Sequence, residues 1–320
     1  MSKIIFFLCL ITALPLSAEW HFEERAIMGT SIKASLWHTD SKKARVALDT
    51  VFDEMERINQ LMSPYIESSE LAKVNQFADK NPVTVSIELF NLLEKAQAVS
   101  EKTQGAFDIT FASVGFLYNY REKVHPDKAA LNETKQLIDY KSIALDKSTH
   151  TVMFLKPNMK IDLGGIAKGY AVDNAIEKLK KLGISSALVS AGGDTKALGS
   201  HQNRPWFVAV QDPRKKGRHA LQLPLEDEAI STSGDYERYF EKDGVRYHHI
   251  LDPATGSSSK QVQSVSIIGK DATMTDALST SVFVLGTKDG LALINRLPNY
   301  EALIIDSERK LHFSQGLMAQ

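Results

Sequence analysis

Two periodicities divide the chain. Apolar residues recur at helical spacing over 42–61, where Val46, Val51, Met55, Ile58 and Leu61 share a face. Ser68 to Gln76 predicts a short helix opened by serines, and Ser86 can cap a longer one. In that longer helix Leu89, Leu92, Leu93, Ala96 and Val99 lie together, and Gly105 falls just past its end. Further helices are predicted over 169–182, ending at Gly183, and over 272–285 and 288–297. Alternating or short apolar runs predict strands: two around Gly29 within 21–38, then 151–155 and 161–163 around the Lys156-Pro157-Asn158 turn. More follow at 187–190, 195–199, 206–211, 219–223, 229–232, 245–251, 262–268 and 302–305, with a hairpin-type turn at Gly192-Gly193. Strands and helices come in clusters and do not alternate strictly. The fold class expected is therefore α+β with a largely antiparallel sheet. No repeat or low-complexity linker divides the chain.

Composition changes this picture mainly at the N-terminus. With 43% hydrophobic and 24% charged residues, the 320-residue chain has ample material for a core. MSKIIFFLCLITALPLSA sets a lysine before an apolar run and a small-residue site at Leu16-Ser17-Ala18, the layout of a secretory signal. Residues 1–18 are read as a cleaved signal peptide and 19–320 as one catalytic unit. The expected location is the periplasm, as a soluble protein. Cys9 is the only cysteine and lies inside the apolar run without a lipidation context, so the mature chain has neither disulfide nor thiolate chemistry. The formal charge of −1 gives no footprint for nucleic acid. The basic stretch Arg214, Lys215, Lys216 and Arg218 reads as a solvated loop.

Four segments could carry chemistry. IDLGGIAKGYAVD, residues 161–173, runs from an apolar stretch through an acid and two glycines into a helix. It is either a plain strand–turn–helix or a seat for an anion, because a helix N-terminus offers free N–H groups and Gly164 and Gly165 permit close approach. Asp276, Ser279 and Thr280 stand at i, i+3 and i+4. They are either local helix partners or a set of hard oxygen ligands suited to magnesium. In VRYHHILDPATG, strand parity places His249 with Val245, Tyr247 and Leu251, while His248 goes with Arg246 toward water. His249 is thus the better candidate for a sheltered base, unless both histidines are bystanders. In GAFDIT, Asp108 is either a capping residue or a ligand contact, and Tyr65 either a stacking platform or a half-buried loop residue. Neither a GxSxG elbow nor an HExxH pattern occurs.

The order of these blocks is more specific than any one of them. Met28-Gly29-Thr30, SPY at 63–65, GAFD, IDLGGIAKGYAVD, SAGGD at 190–194, STSGDYERY at 231–239, HHILDPATG and DALSTSVFVLG at 276–286 together resemble the ApbE family of FAD:protein FMN transferases. The resemblance runs from about Met28 to Gly286. It implies an α+β domain related to the T-fold and a magnesium-dependent reaction. FAD is split at its pyrophosphate, FMN is attached through a phosphoester to a threonine or serine of a target protein, and AMP is released. It implies acceptors among flavin-carrying subunits of respiratory complexes, such as the sodium-pumping NADH:quinone oxidoreductase and its Rnf relatives. Carried over block by block, it implies flavin contacts at Met28, Tyr65, Ala106, Phe107, Asp108, Asp162, Lys168 and Ile250. It implies metal contacts at Gly165 (through its carbonyl), Asp276, Ser279 and Thr280, and a base at His249. Two other readings stay open on the sequence: an FAD pyrophosphatase with water as acceptor, and an exported flavin carrier without catalysis.

Overall fold

The computed structural model describes residues 19–318; the signal peptide read over 1–18, with Cys9 inside it, lies outside the described residues. An eight-stranded sheet organises the chain. Its strands are β1 (Glu19–Ile27), β2 (Thr30–His38), β3 (Ala187–Ala191), β4 (Asp194–Leu198), β5 (Ala229–Gly234), β6 (Val262–Gly269), β7 (Tyr300–Asp306) and β8 (Leu311–Phe313). Each pairs antiparallel with the next, so the sheet is a meander in chain order. Apart from the short helix Gln315–Met318 after the last strand, the other described elements are inserted between its strands. The α+β class with antiparallel pairing expected from the clustered pattern is what forms.

Four long helices cover the sheet: α1 (Ser41–Met62), α2 (Ile87–Lys102), α3 (Ala167–Lys181) and α4 (Ala272–Ile294). Ser86 caps α2 as expected, its side chain accepting from Leu89 N–H at 3.2 Å, and Ser69 caps the short helix Glu70–Phe77 in the same way. The main core joins the apolar faces of α1, α2 and α3 to β2 and β3, with Ile32, Leu36, Val51, Met55 and Leu93 fully enclosed. A second core packs α4 on β6 and β7, and a third lies under an outer hairpin, Trp206–Gln211 with His219–Leu225. β6 is covered on both faces and is buried at every position.

The strand pattern misleads in two places. Ile161–Leu163 forms no strand. Its extended backbone is held by a side chain: Asn75 Nδ2 donates to Ile161 O and Ile161 N–H donates to Asn75 Oδ1, both at 2.8 Å. The run over 245–251 breaks after His248, the last residue of a small hairpin, Tyr239–Lys242 with Val245–His248. The two helices expected over 272–285 and 288–297 form, meeting within α4 at Gly286, whose φ of 75° is not helical and suits glycine and where a Cβ would stand 2.0 Å from Gln261 Oε1. α4 is long and apolar enough to cross a bilayer by length and composition, but its faces are occupied by the sheet and α3.

α3 packs closely against α4. A Cβ on Gly169 would lie 2.1 Å from the carbonyl oxygen of Ala272 and 2.8 Å from Asp276 Cβ. Glycine alone allows this approach. Asp173, one turn further along α3, fixes it: its carboxylate accepts from Thr273 N–H at 2.8 Å, Thr273 Oγ1 at 2.6 Å and Ala272 N–H at 3.1 Å, and pairs with Lys196 of β4. Gly169→Ala should therefore force α3 and α4 apart. Overfilling a tight interior of this kind costs about 1–3 kcal/mol, which urea unfolding would register, together with loss of activity out of proportion to the loss of stability.

Candidate active site

The α3–α4 crossing brings charged side chains together in a sheltered place. Ile166, the residue before α3, offers no side-chain cap, and Asp276 of α4 supplies one: its Oδ2 accepts from Gly169 N–H at 3.0 Å. The other oxygen, Oδ1, lies 3.5 Å from Lys168 Nζ. Lys168 also pairs with Asp194, the first residue of β4. Both carboxylates are almost fully enclosed, at 3% side-chain exposure each. Burial, with Asp194 beside it, pushes the Asp276 carboxyl up to about 7 against the pull of Lys168. For Lys168 burial works against the ammonium, but Asp194 and Asp276 outweigh it and raise the pKa above the ordinary lysine value. Two acids and one base share this spot.

Three of the sequence blocks meet at Gly165. A Cβ there would stand 3.2 Å from Phe107 and 3.2 Å from Thr280 Oγ1, so the GAFD, LGGIAK and DALST segments are in contact. Ser279 donates to Asp276 O at 2.9 Å and shares a hydrogen bond with Ser233 of β5 at 2.8 Å, while Thr280 Oγ1 lies 3.4 Å from the same Ser233. Along β5 alternate side chains serve this face: Ser231 bonds Thr275 and Ser233 bonds Ser279, whereas Thr232 turns to Ser266 on β6. Among the described residues no cluster of three or more His, Cys, Asp or Glu could hold a metal. Thr280 Oγ1 faces Gly165, and Asp276 and Ser279 lie within about one turn of it on α4, so one stretch of helix beside Gly165 offers a carboxylate and two hydroxyls. That set fits a hard divalent ion such as magnesium, which takes few protein ligands and fills its shell with water and phosphate.

Both histidines are sheltered, so the expectation that His248 turns toward water fails while that of a sheltered His249 holds. His248 is the buried one, 3% exposed, stacked edge-on to Phe283. Its Nε2 faces Ser259 O at 2.6 Å and its Nδ1 accepts from Ile250 N–H at 3.3 Å, so it serves the structure. Parity failed because the strand ends at His248, and His249 lies in the bend beyond it. His249 is half-buried, its N–H donates to Arg238 O at 3.1 Å, and its enclosed Nδ1 has no partner among the described residues. Burial, then the positive fields of Arg238, His248 and Lys168, lower its pKa to about 3. The ring is neutral at physiological pH, with a nitrogen free to accept.

The remaining predicted contacts divide. Asp162, half-buried, accepts from Gly164 N–H at 2.6 Å, and burial raises its carboxyl against the fields of Arg238 and Lys168. Met28 and Gly29 form the β1–β2 turn with φ of 54° and 70°, and Arg238 Nη2 comes within 3.7 Å of where a Gly29 Cβ would be. Tyr65 is exposed and meets Phe116 edge-on at 6.0 Å. Ala106 is half-buried beside Phe107. Asp108 is occupied as a cap: Thr110 N–H, Thr110 Oγ1 and Tyr140 N–H donate to it at 2.8, 2.6 and 2.9 Å. Ile250 is buried against the α4 core. The SAGGD and STSGDYERY blocks by themselves assign no role to Asp194, Ser233 or Arg238, which the structure brings to the site. Asp194 was visible as an acid directly after Gly192-Gly193, and Ser233 as an alternate residue of β5.

Comparison with known proteins shows the family and the fold. The model of the ApbE family matches residues 28–304. An FAD:protein FMN transferase of Treponema pallidum is 34% identical, covering 91% of this chain and 86% of that protein, and one from Vibrio cholerae is 32% identical over 81% and 79%. Among solved structures, the ApbE protein of Thermotoga maritima superposes with a TM-score of 0.86 at 36% identity, covering 94% of this chain and 99% of that one. The flavin transferase ApbE of Vibrio cholerae gives 0.83 at 29%, covering 95% and 99%.

Lys168 is what allows Asp194 and Asp276 to lie side by side. Lys168→Met should cost about 3–5 kcal/mol, the usual consequence of stranding buried charge. Adding Asp194→Asn should recover much of that loss. Equal urea midpoints for wild type and the single variant would show that the pair contributes nothing to folding.

Proposed function

The chain belongs to the ApbE family and is an FAD:protein FMN transferase, and we propose that its reaction is magnesium-dependent attack of a threonine or serine hydroxyl on the FAD pyrophosphate. FMN becomes linked to the acceptor protein as a phosphoester and AMP leaves. The observation that carries this reading is the meeting of Asp276, Thr280, Ser279 and Gly165 with Lys168 at the α3–α4 crossing. Asp276 and Thr280, with Ser279 and the Gly165 carbonyl, would hold the ion. When bound, magnesium neutralises phosphate charge and steadies the charge that develops on the leaving group.

The chain's own residues do the rest. Lys168, fixed between two acids, adds a positive charge facing the phosphates. Such fixed charge needs no rearrangement as the reaction proceeds, which is what phosphoryl transfer chiefly asks of a protein. Tyr65, exposed at the surface, offers aromatic area to a flat ring system and the half-buried Met28 an apolar one, whereas Phe107 is buried in the main core beneath Gly165 and supports the site from below. His249 enters neutral and can take the hydroxyl proton at a ring nitrogen as the oxygen–phosphorus bond forms. A pKa of about 3 makes it a weak acceptor in the free protein. Anionic phosphates beside it favour the protonated imidazole and shift the pKa upward when substrate is bound. The leader-like residues 1–18 support export, so that the acceptor is met in the periplasm; a subunit of a respiratory complex of the sodium-pumping or Rnf type suits that location.

The direct test incubates the protein with FAD, magnesium and a candidate acceptor fragment and weighs the fragment. A gain matching one FMN is expected, lost on chelation and restored by magnesium. Free FMN without labelled acceptor would point to hydrolysis. His249→Ala should lower the transfer rate by about 10²–10⁴ while leaving FAD affinity nearly intact. Parallel loss of both would remove the base role.

A further inference from the structure

We propose that Arg214 is a positioning residue for His249, acting through Asp235; this rests on the reading of His249 as the base. Arg214 sits on the loop joining the two strands of the outer hairpin, in the basic stretch that reads as solvated from the sequence. The structure gives it a partner instead. Its Nη1 and Nη2 donate to Asp235 Oδ1 and Oδ2 at 2.7 and 2.6 Å, a two-pronged match of planar groups. Asp235 is nearly enclosed, at 9% side-chain exposure, against 28% for Arg214. The loop itself is tied down where Arg309 Nη2 donates to Asp212 at 2.9 Å.

Asp235 is the node from which two short routes reach His249. Along the chain it opens the segment 235–238, and its own N–H donates to Gln263 O on β6 at 3.1 Å. That segment ends at Arg238, whose carbonyl receives the His249 N–H. Across space, Arg246 Nη1 donates to Asp235 Oδ1 at 3.4 Å. Arg246 is held in turn by Glu241 at 2.8 Å and lies over the Tyr239 ring at 4.1 Å. It stands in the strand Val245–His248, which runs directly into His249. The Asp235 carboxylate thus clamps both chain segments that carry the base. The clamp matters because His249 is beyond the strand end and its Nδ1 has no hydrogen-bond partner among the described residues. Its ring is aimed by the backbone that holds it. Asp235 faces two guanidiniums, and removing Arg214 leaves only the longer contact from Arg246.

The test uses the full chain with FAD, magnesium and an acceptor fragment. Arg214→Ala should lower kcat for transfer by about 10- to 100-fold, the scale expected when a reacting group is displaced by a fraction of a bond length to an ångström. KM for FAD should change little, while the melting temperature should fall, because the nearly enclosed Asp235 carboxylate then keeps only the longer contact from Arg246. Arg214→Lys keeps the charge but cannot form the fork, and it should recover little of the rate. The decisive measurement is made in a His249→Ala background, where Arg214→Ala should have no further effect, because it acts only through the ring. Should Arg214→Ala fold poorly, Asp235→Asn supplies the same comparison. A wild-type kcat for Arg214→Ala, or a full further loss in the His249→Ala background, would overturn the proposal. A His249→Ala protein as fast as wild type would instead remove the base reading beneath it.

Discussion

The site depends on how closely two helices approach. α3 and α4 cross with backbone against backbone at Gly169, where any side chain would strike Ala272. Because they do, Asp276 can cap a helix to which it does not belong, and Lys168 comes within reach of that same carboxylate. Asp173 seals the crossing by accepting from the first N–H groups of α4. An acid that ties two helices together and also faces a lysine cannot be moved without moving both. That constraint turns a helix packing contact into a charged site with fixed geometry.

Around the crossing the sheet supplies precision. β4 and β5 reach the same place, Asp194 closing on Lys168 and Ser233 on Ser279 and Thr280. These groups sit on strands of a continuous antiparallel meander, so their spacing is set by strand register. The insertion between β5 and β6 behaves differently. There His249 lies in a bend, held by a backbone bond and by the ion pairs around Asp235. Asp194 and Ser233 are placed by strand register, while His249 is placed by a bend and its loop partners.

Much of this was legible in the sequence because it is local. The helical spacing over 42–61, the serine caps at 69 and 86, the glycine turns and the i, i+3, i+4 set on α4 all form as their patterns suggest. Where the reading stayed open or failed, the deciding feature was a remote partner or the end of an element. Ile161 reads as a strand because its pattern is apolar, yet its ladder is the side chain of Asn75. His248 and His249 were sorted by a parity that ends one residue too soon. Arg214 looks like solvated charge until Asp235 is placed opposite it. Asp108 was read with two possible roles, and the structure fills it with Thr110 and Tyr140. Family resemblance could join the blocks in order, but contacts between side chains scores of residues apart came from the fold.

The central claim is that one divalent ion binds where α3, α4 and β5 meet. Anomalous diffraction from crystals grown with manganese and FAD addresses it directly. A single strong peak is expected, bonded to Asp276 and Thr280, beside the Gly165 carbonyl and touching the dinucleotide's pyrophosphate. A peak bound elsewhere, or phosphates lodged far from this crossing, would contradict it.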